Sequence, residues 1–154
     1  MIYHLAQINI AKMLAPMDSP IMADFVANLD RINALADDSP GFIWRLQGEE
    51  ENATALRVFE DNYLIVNMSV WSSIDALFAF TYQSAHKEIF KRKKEWFSKM
   101  KEMHMACWYV PQEHEPTTEE AKERLAFLNA NGETPYAFTF KSKFVAADAA
   151  KFRP

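Results

Sequence analysis

Apolar and polar positions recur with two different periods along this chain, and the changes of period mark its elements. Residues 3–10 are apolar on both faces apart from Gln7 and Asn9, which predicts a strand. A turn at 15–20 follows, with Ser19 as N-cap and Pro20 at the first helical position. Met22, Phe25, Val26, Leu29, Ile32 and Ala36 then recur at helical spacing and predict an amphipathic helix over 20–36, ended by Asp37-Asp38-Ser39-Pro40-Gly41. A short strand is expected at 42–47, an acidic loop at 48–54 and a clear strand at 63–71. Ser72 or Ser73 caps a helical stretch expected to run to about residue 100, with a break near 81–84. Another strand is expected at 104–110. Thr117-Thr118-Glu119-Glu120 reads as a capping box for a third helix with Ala121, Leu125 and Leu128 on its apolar edge. Asn131-Gly132 supplies its stop, and 137–140 reads as a short fifth strand.

The order β-α-β-β-α-β plus one helix is the ferredoxin-like split βαβ pattern, an α+β class. Residues 1–140 form the expected single domain and 141–154 a C-terminal tail. Helices in such a fold cover one face of the antiparallel sheet, so the other face should be polar if it meets water. Here both rows of strand 63–71 are largely apolar: Leu64, Val66, Met68, Val70 on one side, and Tyr63, Ile65, Trp71 with Asn67 and Ser69 on the other. A sheet greasy on both faces needs a second cover, and the simplest is a second copy of itself. The expectation is a homodimer joined sheet to sheet, a dimeric α+β barrel.

Composition changes this picture little. The 154 residues are 49% hydrophobic and 25% charged with three glycines, which excludes disordered and collagen-like chains. No apolar run reaches the roughly 20 residues of a membrane span. Met1-Ile2-Tyr3-His4-Leu5 lacks the layout of a secretion signal, and a lone Cys107 forms no internal disulfide, so a reducing cytoplasm is expected. The net charge of −4 argues against a nucleic-acid partner. Seven basic residues do gather between Lys87 and Lys101, but Glu88, Glu95 and Glu102 interrupt them, as on a solvated helix face. A second crowd is acidic: Glu49, Glu50, Glu51, Glu60 and Asp61. Neither nucleic acid nor membrane is expected as a partner.

Two blocks carry a resemblance. The first is Trp71-Ser72-Ser73-Ile74-Asp75-Ala76-Leu77 with Phe80, Tyr82, Ser84 and His86. The second is Trp108-Tyr109-Val110-Pro111 with His114, Pro116-Thr117, Glu120-Ala121 and Arg124-Leu125, completed by Thr134-Pro135 and Ala137-Phe138-Thr139-Phe140. Together they resemble an uncharacterised domain-of-unknown-function family of small bacterial proteins in the dimeric α+β barrel superfamily, near the antibiotic-biosynthesis monooxygenases and spheroidene monooxygenase. The resemblance implies a ferredoxin-like protomer and a sheet-to-sheet dimer. It fixes no chemistry, because that superfamily holds cofactor-free oxygenases, haem enzymes and isomerases.

His86 is the first candidate for chemistry. Counted at helical spacing, Tyr82, His86, Ile89, Phe90, Phe97 and Met100 fall on one inward stripe, with Tyr82 as a wall of the same site. An imidazole there serves as an acid or base beside a substrate or as an axial haem ligand; the plainer alternative is a core histidine with satisfied nitrogens. The second candidate is a row of Gln7, Asn9, Trp44, Asn67, Trp71 and Trp108, whose amides and indoles would orient a flat organic ligand or, if that row faces a partner, anchor an interface. His4, His104 and His114 lack metal-ligand spacing, so no metal is expected. Cys107 has no activating neighbour in sequence and reads as core. No phosphate loop, dinucleotide fingerprint or nucleophile elbow is present. These residues point to a small-molecule-binding protein, cofactor-free or with haem, acting as a monooxygenase-like enzyme; the alternative is a non-catalytic dimeric module that holds a metabolite or haem.

Overall fold

The computed structural model describes residues 2–47, 59, 61 and 63–154. The expected acidic loop at 48–54, with Glu49, Glu50 and Glu51, lies outside the described residues, as does Glu60. Five strands form one antiparallel sheet: β1 (Tyr3–Met13), β2 (Phe42–Arg45), β3 (Leu64–Trp71), β4 (Phe97–Ser98) and β5 (Met105–Pro111). Strand β1 is central. It pairs with β3 along Leu5–Lys12 on one side, and on the other with β5 at its start and β4 at its end. Strand β2 lies outside β3. With β5 in the place of the fourth strand, this is the ferredoxin-like arrangement expected from the order of elements.

The helices are α1 (Ala23–Asp37), α2 (Ile74–Gln83), α3 (His86–Lys91), α4 (Thr118–Asn131) and α5 (Ala146–Lys151). Ser19 caps a 3-10 turn at Pro20–Met22 that leads into α1, Ser73 caps α2, and Thr117 caps α4 by accepting from the Glu120 amide. Gly132 ends α4 at φ 77°. Residues 141–154, expected as a tail, carry α5 and pack onto the sheet, where the Tyr109 hydroxyl donates to the Phe144 carbonyl at 2.9 Å.

One expectation fails between residues 84 and 100. The helix stops at Lys91, passes through a 3-10 turn at Lys93–Glu95 and becomes the short strand β4. Phe97 and Met100 therefore leave the stripe that carries His86. The cause lies in Trp96, which is fully buried against Met13 and Met22 with Phe25 at its ring; a straight helix would carry it away from that cluster. Tertiary burial of one large aromatic outweighs the local helical preference.

The register assigns each side chain to a face. Leu5, Gln7, Asn9 and Met13 share a face with Ile65, Asn67, Ser69 and Trp71 of β3 and with Met105, Cys107 and Tyr109 of β5. Helices α1, α2 and α3 cover this face through two clusters, one around Leu5, Trp71, Leu77 and Phe138, the other around Met13, Met22 and Trp96. The opposite face carries Ala6, Ile8, Ile10, Val66, Met68, Val70, Ala106, Trp108 and Val110, all buried under Ala121, Leu125 and Leu128 of α4. The bare apolar face on which the sheet-to-sheet dimer was argued is thus covered from within the chain: α4 is the second layer.

Gly41 marks the closest approach of layers. It has φ 83°, and an added Cβ would lie 2.6 Å from both the Ala76 Cβ and the Ser72 Oγ. Its carbonyl accepts from the Ser72 amide at 2.7 Å, tying the start of β2 to the entry of α2. Gly41→Ala is expected to cost at least about 2 kcal/mol, from the left-handed backbone and the contact with Ala76 together. Urea denaturation compared with wild type checks it; a loss below measurement error would contradict the packing described.

Candidate functional site

The face under α1–α3 is interrupted. Between its two apolar clusters the sheet presents a polar strip of Gln7, Asn9, Asn67 and Ser69, with Asn9 and Asn67 directly opposite each other. Gln7 and Ser69 are buried, at 4% and 6% exposure, whereas Asn9 and Asn67 are open to solvent. The Gln7 Nε2 donates to the Asn67 Oδ1 at 2.6 Å and to the Ser69 Oγ at 2.8 Å. The buried Trp71 indole N–H donates to the same Ser69 Oγ at 2.8 Å. Such a network inside a sheet costs little only because its buried donors are paired.

Helix α1 bridges the strip. Its stripe Phe25, Leu29, Ile32 and Ala36 faces the sheet, with Phe25 in the Trp96 cluster and Ala36 in the Trp71 cluster. Between these anchors Leu29 and Ile32 are only half-buried, although they sit on the inward stripe. The exposed amides and the half-buried Leu29 and Ile32 lie on the side of the sheet that α1 covers, and the space between α1 and the strip, flanked by the Trp71 and Trp96 clusters, is the candidate cleft.

Trp71 stands at one wall between Phe42, edge-on at 5.4 Å between ring centres, and Phe80, stacked at 5.2 Å. His86 continues the column, its ring 4.9 Å from Phe80 and 6.1 Å from Phe90. The His86 Nδ1 lies 3.1 Å from the Thr81 carbonyl, which places the proton on Nδ1. Phe80 stands between His86 and Trp71, so the imidazole is set off from the polar strip. It does not fit the haem role: Phe80 and Phe90 flank it in a filled aromatic column, and a macrocycle would have to displace them. Tyr82 turns outward, 42% exposed, with its ring against Phe78, Phe90 and Phe140.

Burial lowers the His86 pKa from about 6.5, and the Thr81 contact offsets this only in part. The unfolded chain therefore takes up the proton first. The contribution of His86 to stability is complete above about pH 6.5, declines as pH falls from there to the folded value, and is level below it. Comparing urea midpoints of wild type and His86→Phe through this window should show a steeper pH slope in wild type than in the variant. An equal slope in both would contradict the burial of a neutral imidazole.

The candidate ligand row divides between the two faces. Asn9, Asn67 and Trp71 come together; Trp108 and Trp44 do not join them. Trp108 pairs with Ala6 and points under α4, and an irregularity in β2 sets Trp44 opposite Val70 on that same side. The Trp108 indole N–H donates to the Glu120 Oε2 at 2.7 Å, while the Glu120 Oε1 lies 2.6 Å from the His114 Nε2. Glu120 thus leaves the reach-back half of the capping box to serve a buried indole. Cys107 is fully buried, and burial first, then Glu133, push its thiol far above the usual range, so it is no nucleophile. The signal for Gln7 and Ser69 was the period itself: both fall in register with Asn67.

A second, shallow depression lies on the α4 side, lined by Tyr109, Val110, Pro111, His114, Glu119, Glu120, Glu123 and Arg124. Its central groups are engaged with one another. Glu120 holds Trp108 and His114, Glu123 accepts from the Tyr136 hydroxyl at 2.5 Å, and Arg124 lies 3.6 Å over the Tyr136 ring while donating to the Tyr136 carbonyl. It reads as a structural seam. Among the described residues no group of three or more His, Cys, Asp or Glu is gathered to hold a metal ion, and no helix is long and apolar enough to cross a membrane.

No curated protein matches the chain in sequence. Solved structures are similar at low identity. SnoaB, a cofactor-independent oxygenase from Streptomyces nogalater, is 15% identical with a TM-score of 0.48, over 73% of this chain and 95% of that one. PA3566 from Pseudomonas aeruginosa is 14% identical with a TM-score of 0.48, over 74% of this chain and 98% of that one. NE2512 from Nitrosomonas europaea, a protein of unknown function, is 12% identical with a TM-score of 0.45, over 75% and 95%. One family model matches residues 4–153, nearly the whole chain, and by it this protein belongs to the family described as a domain of unknown function, DUF3291.

Proposed function

We propose that the cleft between α1 and the sheet binds a flat, electron-rich organic molecule and supports its oxidation by molecular oxygen without a cofactor. The observation that carries this reading is the polar strip, open at Asn9 and Asn67 and set between two aromatic-rich apolar clusters, each of which holds one end of α1. Apolar walls take up the faces of a ring system, and a few fixed polar groups orient it.

The strip itself presents amides, a hydroxyl and an indole, with the masked thiol of Cys107 beside it. None of these is poised as an acid, base or nucleophile near neutral pH. A substrate bound there would have to supply its own electrons, which suits a phenol-like ring. In the simplest balanced case a phenol and one O₂ give a quinone and water. One oxygen atom enters the ring, and the ring C–H and O–H hydrogens leave with the other. Asn9 and Asn67 would hold the ring, and Trp71 would form the wall against which it lies. His86, behind Phe80, would buttress that wall.

Oxygen uptake with a panel of naphthols and dihydroxynaphthalenes tests the proposal, in wild type and Asn67→Ala. Saturable, protein-dependent uptake that Asn67→Ala reduces is the expected result. Ligands that raise the melting temperature and are recovered unchanged would instead make the protein a binding module.

A further inference from the structure

The three hydrogen bonds of the strip have a direction, and that direction sets the polarity of what the cleft offers a ligand. An indole N–H only donates, so Ser69 accepts from Trp71. The Gln7 Nε2 is the second donor to the same oxygen, and its remaining proton goes to the Asn67 Oδ1. With its Oδ1 engaged by Gln7, Asn67 has its Nδ2 amino group left to offer a ligand. We infer that Gln7, buried and without contact to the cleft's open side, is a specificity-determining residue. It fixes the Asn67 amide so that the cleft presents donors and selects ligands bound through an anionic oxygen, a phenolate or enolate, over their amine counterparts.

The chemistry of the setting agrees. Asn9 lies directly opposite Asn67 in the register, within reach of the same ligand atom. Among the described residues no carboxylate stands in the strip to repel an anion. Preorganised N–H donors beside apolar walls stabilise an oxyanion more strongly than water-exposed ones. The inference rests on the cleft reading above and adds to it the charge state of the ligand and the residue that selects it.

Gln7→Glu is the informative substitution. A carboxylate at this position accepts from Ser69 and Asn67, reverses both bonds and turns the Asn67 oxygen toward the ligand. Gln7→Met removes the polarity without adding charge and keeps the variant series interpretable if burying a carboxylate prevents folding. The probes are para-nitrophenol and para-nitroaniline, which share a shape and differ in the atom presented. In wild type, bound para-nitrophenol should titrate about one unit or more below the free compound, and its anion should bind about tenfold tighter than para-nitroaniline. Gln7→Glu should reverse that order, and Gln7→Met should bring the two affinities within about twofold.

A ligand-free readout separates the levels of the argument. In ¹⁵N-labelled full-length protein the Gln7 side-chain amide protons should exchange slowly and show contacts to the Trp71 indole proton, while those of Asn67 exchange fast. The reverse pattern, or an unshifted or raised titration of bound para-nitrophenol, would overturn the inference with the cleft intact. Failure of both probes to bind wild type would overturn the cleft reading, and the ligand class with it, even where the amide pattern is as expected.

Discussion

Trp108→Ala is expected to lower stability by about 3–5 kcal/mol while leaving the affinity of any cleft ligand unchanged. Trp108 is fully buried under α4, in the cluster of Ile8, Val70, Ala121 and Leu125, so truncation removes a large apolar volume from the centre of one layer. It also strips Glu120 of a buried donor and leaves a carboxylate oxygen partly desolvated. Trp108→Phe should cost less, about 1–2 kcal/mol, because most of the volume remains and only the bond to Glu120 is lost. Equilibrium urea denaturation reads both values, and ligand titration of the folded fraction reads the affinity. A variant that keeps its stability but loses the ligand would move the site to the α4 face.

The second expectation has the opposite signature. Asn67→Ala should change stability by no more than about 1 kcal/mol, because the side chain is exposed and Gln7 retains Ser69 as an acceptor. The same substitution should weaken a ligand held through an oxygen atom by about tenfold or more, the worth of a hydrogen bond to a charged group. Asn9→Ala should act in the same direction, and the double variant should lose less than the product of the single losses if both amides reach one ligand atom. Calorimetric titration across the four proteins checks the pattern. Strictly additive losses would separate the two amides into independent contacts. Together the Trp108 and Asn67 substitutions dissociate the two faces: one is stability without binding, the other binding without stability.

The strands β1, β3 and β5, the caps at Ser19, Ser73 and Thr117, and the stop at Gly132 were legible because each rests on local chemistry: alternation, side-chain caps and a left-handed glycine. Asn9, Asn67 and Trp71 were legible as a row because strand side chains alternate with a period of two. Trp108 was misplaced with them because single-sequence patterning leaves open the relative register of two strands separated by many residues. Ala6 opposite Trp108 and Gln7 opposite Cys107 settle it, and those are tertiary facts. Trp44 was misplaced for a related reason, a local irregularity in β2 that shifts its alternation.

The end of α3 shows a different limit. Lys91 to Lys94 and Glu95 favour helix individually, yet Trp96 is drawn into the cluster of Met13 and Met22, and the backbone turns to deliver it. A second cover of the sheet was expected from a second copy of the chain, and within the chain α4 supplies one for the face of Ala6, Ile8 and Trp108. Helix α4 carries only Ala121, Leu125 and Leu128 as buried residues, and so narrow a stripe hid its capacity to seal a whole face. The setting of the candidate cleft was not legible, because the anchoring of α1 at Phe25 and Ala36, on either side of the polar strip, is a consequence of packing at two separate places.

The most direct test of this account uses the four tryptophans as reporters of the two faces. Trp71 and Trp96 belong to the clusters that wall the cleft, whereas Trp108 and Trp44 pack on the α4 side. In an NMR titration of the ¹⁵N-labelled protein with para-nitrophenol, the Trp71 indole and the Asn9 and Asn67 side-chain amides are expected to shift together. Trp108 and Trp44 should stay in place. Shifts at Trp108 with Asn9 and Asn67 unmoved, or no shift on either face, would contradict a cleft between α1 and the sheet.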